Sequence, residues 1–176
     1  LRAVYRIHEP PTRESTEGLR ELLSRVGHGL PKRRSLKPRD LQRLLDQVRG
    51  RPEGALISRV VLRSLSKARY DTRNLSHFGL ASPAYLHFTS PIRRYPDLVV
   101  HREVVRSLIL GREDTAGDLG ALQSIAEHSS LREKAAAEAE RASVDLKKVE
   151  FMEGHLGEEF TGQISGVAAY GFFVTL

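Results

Sequence analysis

The sequence contains no cysteine. Disulfides, thiolate metal sites and cysteine nucleophiles are thereby excluded, and a cytoplasmic location fits. No run of about 18 apolar residues occurs, so no membrane span and no membrane partner is expected. No charged-then-apolar leader is read in this stretch, and no secretion signal is expected within it. Internal repeats, a glycine-rich phosphate loop and a GxSxG nucleophile elbow are also missing. Asp40, Asp46, Asp71, Asp97, Asp114, Asp118 and Asp145 are scattered, and so are the seven histidines. No two or three carboxylates stand at ligand spacing near a histidine, so no metal ligands are assigned. Acids are in short supply: 22 against 28 Lys plus Arg, a formal charge of +6. The surplus is mostly arginine, which forks onto phosphate, so it favours nucleic acid over acidic lipid. The alternative is an inert basic surface.

What is present reads as globular and mainly helical. Leu19, Leu22, Leu23 and Val26 form an apolar stripe that Gly27 closes. Pro38 opens a second helix with Leu41, Leu44, Leu45 and Val48 inward and Gly50 behind it. PKRRSLKP between them is a basic loop. Leu56, Ile57, Val60, Val61, Leu65 and Ala68 repeat at helical spacing and predict a third helix running on to Tyr70. After the loop REDTAGD, an alanine-rich, charge-alternating helix is predicted over about 119–152. The ending changes character. GEEFTGQISGVAAYGFFVTL predicts two strands, about 159–167 and 170–176, separated by a turn. Without an initial Met, and stopping in mid-strand, the chain reads as a piece of something larger.

The most unusual passage is HFTSPIRRYPDLVVHR, His87 to Arg102. Ser90–Pro91 reads as an N-cap followed by proline at the first helical position. Pro96 repeats the device, so one turn, a kink and a helix to Gly111 are expected. This places Arg93 two residues inside a helix start, where free N–H groups and the dipole attract phosphate. Thr89 and Ser90 add hydroxyls, and the Arg93 fork could stabilise charge developing on a phosphodiester. Alternatively, one arginine of the Arg93–Arg94 pair binds Asp97 and secures the kink. In the tail, Tyr170 and Phe172 would share a strand face and Phe173 the other. They stack on bases or fill a core.

The segment His77–Arg102, HFGLASPAYLHFTSPIRRYPDLVVHR, closely resembles the hallmark segment of the ribonuclease II / ribonuclease R family of exoribonucleases, nearer its ribonuclease R branch. YRIHEPP at 5–11, VLRSLSKARYD at 61–71 and AEAERASVDLKKVEFM at 137–152 agree, so the resemblance spans essentially the whole chain. It implies an α+β fold: the mostly helical half of a catalytic domain (1–153), then the first strands of an OB-type barrel (157–176). It implies part of a processive, hydrolytic 3′-to-5′ exoribonuclease that degrades single-stranded RNA to nucleoside 5′-monophosphates. Magnesium is the implied cofactor, with its aspartate ligands expected outside this chain, so that these residues alone should be inactive. The implied parent is a monomer, and its remaining segments are partners of this one.

Carried over residue by residue, Arg93 matches the arginine that grips the phosphate, which makes it the catalytic candidate. Glu140 matches a glutamate placed against the terminal nucleotides, where a carboxylate can accept from ribose hydroxyls. Read from the residues alone, Glu140 is an i,i+4 partner on a solvated face. Ser90, Arg94, Tyr170 and Phe172 complete the candidate RNA contacts. Arg94, together with His101 and Arg102, either braces the helix or touches RNA. Two rivals stand beside this reading: a non-catalytic RNA-binding member of the same family, and a helical interaction protein whose basic surface is incidental.

Overall fold

A computed structural model describes residues 2–33, 35–112 and 116–176. They form two compact units, one reaching to Arg132 and one starting at Glu133. Part of REDTAGD (113–115) lies outside the described residues, as does Arg34 of the basic loop.

The first unit starts with β1 (Tyr5–Ile7), which pairs antiparallel with β2 (Arg69–Asp71), Tyr5 opposite Asp71 and Ile7 opposite Arg69. Three helices lie between these strands in sequence. α1 (Arg13–Arg25) is capped by Thr12, whose hydroxyl accepts the Ser15 N–H at 3.1 Å. It ends before Gly27, which takes a positive φ of 77° that a side chain would oppose. α2 (Pro38–Val48) has proline at its first position, and the Asp40 carboxylate accepts the Lys37 N–H at 2.9 Å. α3 (Gly54–Ser64) follows. Leu19, Leu23, Leu41, Leu44, Val48, Ile57 and Val61 form one buried cluster with Phe78, each large side chain contributing roughly 1.5–3 kcal/mol.

The third helix is shorter than its stripe predicts. It stops at Ser64, whose hydroxyl donates to the Val61 carbonyl, and Leu65 is already extended. Residues 69–71 instead join β1, because Tyr70 packs with Val4, Val99, Leu122 and Ala126 in a second buried cluster. The Tyr70 N–H also donates to Ser130 Oγ at 3.0 Å. Tertiary packing overrode helical periodicity. Leu56, expected inward, is 41% exposed.

A 3₁₀ turn (Phe78–Leu80), α4 (Tyr95–Val104) and a single π-helical stretch (Val105–Ile109) lead to Gly111, whose positive φ ends the element as expected. α5 (Ala116–Glu153) crosses from the first unit into the second. Within the second unit, β3 (Gln163–Ala168) and β4 (Gly171–Thr175) pair antiparallel, with an irregularity between Ile164 and Gly166. This mixture of helices and small sheets is the expected α+β class. Among the described residues, no helix is long and apolar enough to cross a membrane.

Candidate functional site

Residues 87–97 form a tight, internally bonded turn. The Arg93 and Arg94 N–H groups both donate to the Ser90 carbonyl, at 3.2 and 3.0 Å. α4 begins only at Tyr95, with Arg94 extended at its cap and Pro96 inside the first turn. Arg93 therefore stands in the turn before the helix, not two residues within it. Pro96 explains the difference: having no N–H, it cannot bond back to the Ile92 carbonyl, so the first turn cannot continue into α4.

Asp97 fixes this turn. Its side chain is fully buried, and Oδ2 accepts both the Ser90 N–H (2.7 Å) and Arg94 Nη2 (2.9 Å). Arg94 also reaches Thr89 Oγ1 at 3.4 Å. Asp97 Oδ1 and Arg94 Nε are buried without a protein partner. The pair of arginines is thus divided. Arg94 is the brace, and the guanidinium of Arg93 is exposed with no partner among the described residues. Such an arrangement presents an unneutralised fork from a fixed backbone, which suits an anion with several oxygens. Ser90 is half-buried beside it, and its backbone is held at both its N–H and its carbonyl.

His101, one turn along α4 from Asp97, steadies the other side. Its ring stacks on Phe88 at 4.0 Å, and Nε2 donates to the Phe88 carbonyl at 2.7 Å. Arg102 is exposed and braces nothing among the described residues. Behind the turn, His8, His77, Tyr85, His87 and Tyr70 meet edge to face in sequence, with centroids 5.1–5.8 Å apart. Tyr70 and His87 also share a hydrogen bond of 2.9 Å. Backbone bonds from Arg6 to Tyr85 and from Phe78 to His8 tie residues 76–88 to β1. The passages at 5–11 and 77–102, remote in sequence, form one construction. Periodicity could not show this, because the link is aromatic and backbone contact, not a repeated stripe.

Two electrostatic features follow. Hydrogen bonds from Arg73, then Arg69, hold the buried Asp71 carboxyl well below the usual carboxylate range, against the effect of its burial. Burial pushes the His77 imidazole down, and the neighbouring charges of His8 and Arg6 add to this. A base whose folded value is depressed takes up its proton more readily when unfolded. Stability should therefore fall as pH drops through about 6.5, the ordinary histidine value. Asp71 stays ionised throughout that window. We expect His77→Asn, which keeps an acceptor for the Leu80 N–H, to flatten the loss of stability between pH 7 and 5 in urea titrations. An unchanged slope would assign the effect to other groups.

The remaining candidates lie in the second unit. Glu140, on α5, is exposed and makes no ion pair among the described residues, so the i,i+4 alternative is not realised. Tyr170, Phe172 and Phe173 are 86%, 65% and 54% exposed. Tyr170 does not share a strand face with Phe172. It precedes β4 in the turn and meets the Phe173 ring edge-on at 6.3 Å, because the turn at Gly171 breaks the alternation that the sequence suggested. The structure brings Ser90, Arg93 and Arg94 together in one turn, whereas Glu140, Tyr170 and Phe172 belong to the other unit.

No group of three His, Asp or Glu able to hold a metal ion occurs among the described residues. The three buried aspartates are committed elsewhere: Asp40 to the start of α2, Asp71 to Arg69 and Arg73, Asp97 to Ser90 and Arg94. These residues do not fit a magnesium site.

A family model described as the RNB domain matches residues 1–109. The chain belongs to the RNB-domain family. Among its relatives is ribonuclease R of Aquifex aeolicus, 42% identical over 98% of this chain and 24% of the relative. The solved structure of Mycoplasma genitalium RNase R in complex with ribose-methylated single-stranded RNA superposes with a TM-score of 0.88 at 27% identity. It covers 99% of this chain and 28% of that one. The complex of the same enzyme with double-stranded RNA gives 0.87 at 27% identity, over 99% of this chain and 31% of that chain. The chain thus spans about a quarter of the length of the curated relatives it matches.

Proposed function

We propose that this chain is part of a processive hydrolytic 3′-to-5′ exoribonuclease acting on single-stranded RNA in the cytoplasm and releasing nucleoside 5′-monophosphates. The observation that carries the proposal is the exposed Arg93 guanidinium, without a partner among the described residues, on a turn fixed by a buried carboxylate. The ribonuclease R relatives, one of them solved with bound RNA, support it.

In this reading Arg93 grips the phosphate next to the bond being cut and stabilises the charge that develops there. Arg94 and Asp97 hold it in place, and the Ser90 hydroxyl lies within the same turn. Glu140 accepts hydrogen bonds from ribose hydroxyls near the 3′ end. Residues 1–153 would be a portion of the catalytic domain, and 157–176 would open an OB-type RNA-binding barrel. Magnesium, which activates water and screens phosphate charge when bound, would be held by carboxylates outside this chain.

The test is hydrolysis of 5′-labelled oligouridylate by the full-length protein. A short 5′-labelled limit product should appear while full-length RNA remains and intermediate lengths stay scarce, with nucleoside 5′-monophosphates detected in parallel by chromatography. RNA binding without any cleavage would favour a non-catalytic family member instead. The tail carries a separate prediction. If Tyr170 and Phe172 stack on bases, each change to alanine weakens oligouridylate binding by ~1–3 kcal/mol. Unchanged affinity in fluorescence anisotropy would remove them from the RNA surface.

A further inference from the structure

A second concentration of positive charge lies in the first unit, where α1 meets the loop PKRRSLKP. Arg13, Thr16, Glu17, Arg20, Lys32 and Arg33 line an open groove of about 360 Å³. The groove is built, not merely charged. Arg20 Nη2 donates to the carbonyls of Pro31 (2.8 Å) and Arg33 (2.7 Å), which straps the loop to α1. These hydrogen-bond partners are neutral carbonyls and cancel none of the Arg20 charge, so the one acid among the described residues close enough to feel it in the groove is Glu17. Lys32 is exposed and has no partner among the described residues. Arg33 has only a distant carboxylate, Asp40 at 3.8 Å, and that carboxylate already accepts the Lys37 N–H. Four cations thus line the groove against one acid, Glu17, which pairs with Arg13 at 2.8 Å on the open surface. A surface pair of this kind is easily exchanged for another partner.

We propose that this groove holds phosphate groups of an RNA strand. Three arginines and a lysine in one concave, polar setting suit phosphodiester oxygens: the forks bond two oxygens each, and the lysine adds a point charge. The choice of RNA follows from the function proposed above, whereas the phosphate assignment stands on the groove alone.

The test uses Lys32→Gln/Arg33→Gln, both exposed, leaving Arg20 in place because its replacement would free the loop. Binding of a fluorescent oligouridylate and of an oligothymidylate to the 176-residue chain is followed by anisotropy from 0.05 to 0.3 M KCl. A contact with two phosphates predicts that the log–log salt slope becomes shallower by about 1.4, or about 25-fold in affinity at 0.1 M if the curves meet at 1 M. Circular dichroism should be unchanged. Polyglutamate is the control for mere charge. A slope unchanged for both oligonucleotides, or an equal loss with polyglutamate, would overturn the proposal. A slope change with both oligonucleotides but no RNA hydrolysis by the full-length protein would uphold the groove while the exonuclease reading fails.

Discussion

Replacing Arg93 with alanine in the full-length protein should reduce the single-turnover rate of RNA cleavage by about 10²–10³-fold, the usual effect of removing one preorganised donor to developing charge. RNA affinity should change by only a few fold. The Arg93 side chain has no partner among the described residues, so its loss leaves no buried group stranded, and the backbone bond to Ser90 is kept. An arginine used equally in ground and transition states would lower affinity and leave the bound rate unchanged. Arg93→Lys should recover only part of the rate, because an ammonium cannot fork onto two oxygens. The measurement is a rapid-quench time course with enzyme in excess over a labelled oligonucleotide, alongside equilibrium binding. Parallel losses of rate and affinity, or no loss, would remove Arg93 from the catalytic machinery.

The neighbouring position should behave in the opposite way. Asp97→Ala strips a fully buried carboxylate from Arg94 and from the Ser90 N–H, and breaking such a pair costs about 3–5 kcal/mol. The loss should appear as a large drop in the urea midpoint of the 176-residue chain. Removing both partners, as Arg94→Met with Asp97→Leu, should cost less than Asp97→Ala alone. An apolar pair leaves no unpaired buried charge, although the Ser90 N–H still loses its acceptor. A single change costing under about 1 kcal/mol would show that the turn is held by something else. The contrast matters because two adjacent arginines, alike in sequence, are given separate tasks by one aspartate.

The helices around Leu19–Leu23 and Leu41–Val48 were legible from spacing, with proline at the start of one and glycine beyond the end of each. So were the long helix and the two closing strands, because local propensity decides there: most of α5 and all of β4 are exposed. The third helix was misjudged where they conflict: the stripe continues past Ser64, but Tyr70 is worth more in the second cluster and in the β1–β2 pair. The turn at Ser90, the break and the helix at Pro96 follow the two proline signals; what spacing misplaced is Arg93, which lies in that separate turn and not inside a helix start. At the site, sequence raised the choice between an anion contact and a bond to Asp97 for the arginine pair. It could not assign one arginine to each role, since that depends on which side chain turns back over the aspartate. The linkage of His8, His77, Tyr85 and His87 has no periodic signature and becomes visible only in three dimensions. The tail shows the reverse. Alternation placed Tyr170 and Phe172 together, and the turn before β4 separated them.

The division of labour between Arg93 and Arg94 can be read directly from their guanidinium resonances. With ¹⁵N-arginine-labelled chain, the Nε–Hε signals of both residues would be followed while oligouridylate is added, with assignments from Arg93→Lys and Arg94→Lys. The Arg93 signal should shift in a saturable manner while the Arg94 signal, locked to Asp97, stays in place. A shift of Arg94 with Arg93 unmoved would contradict that division.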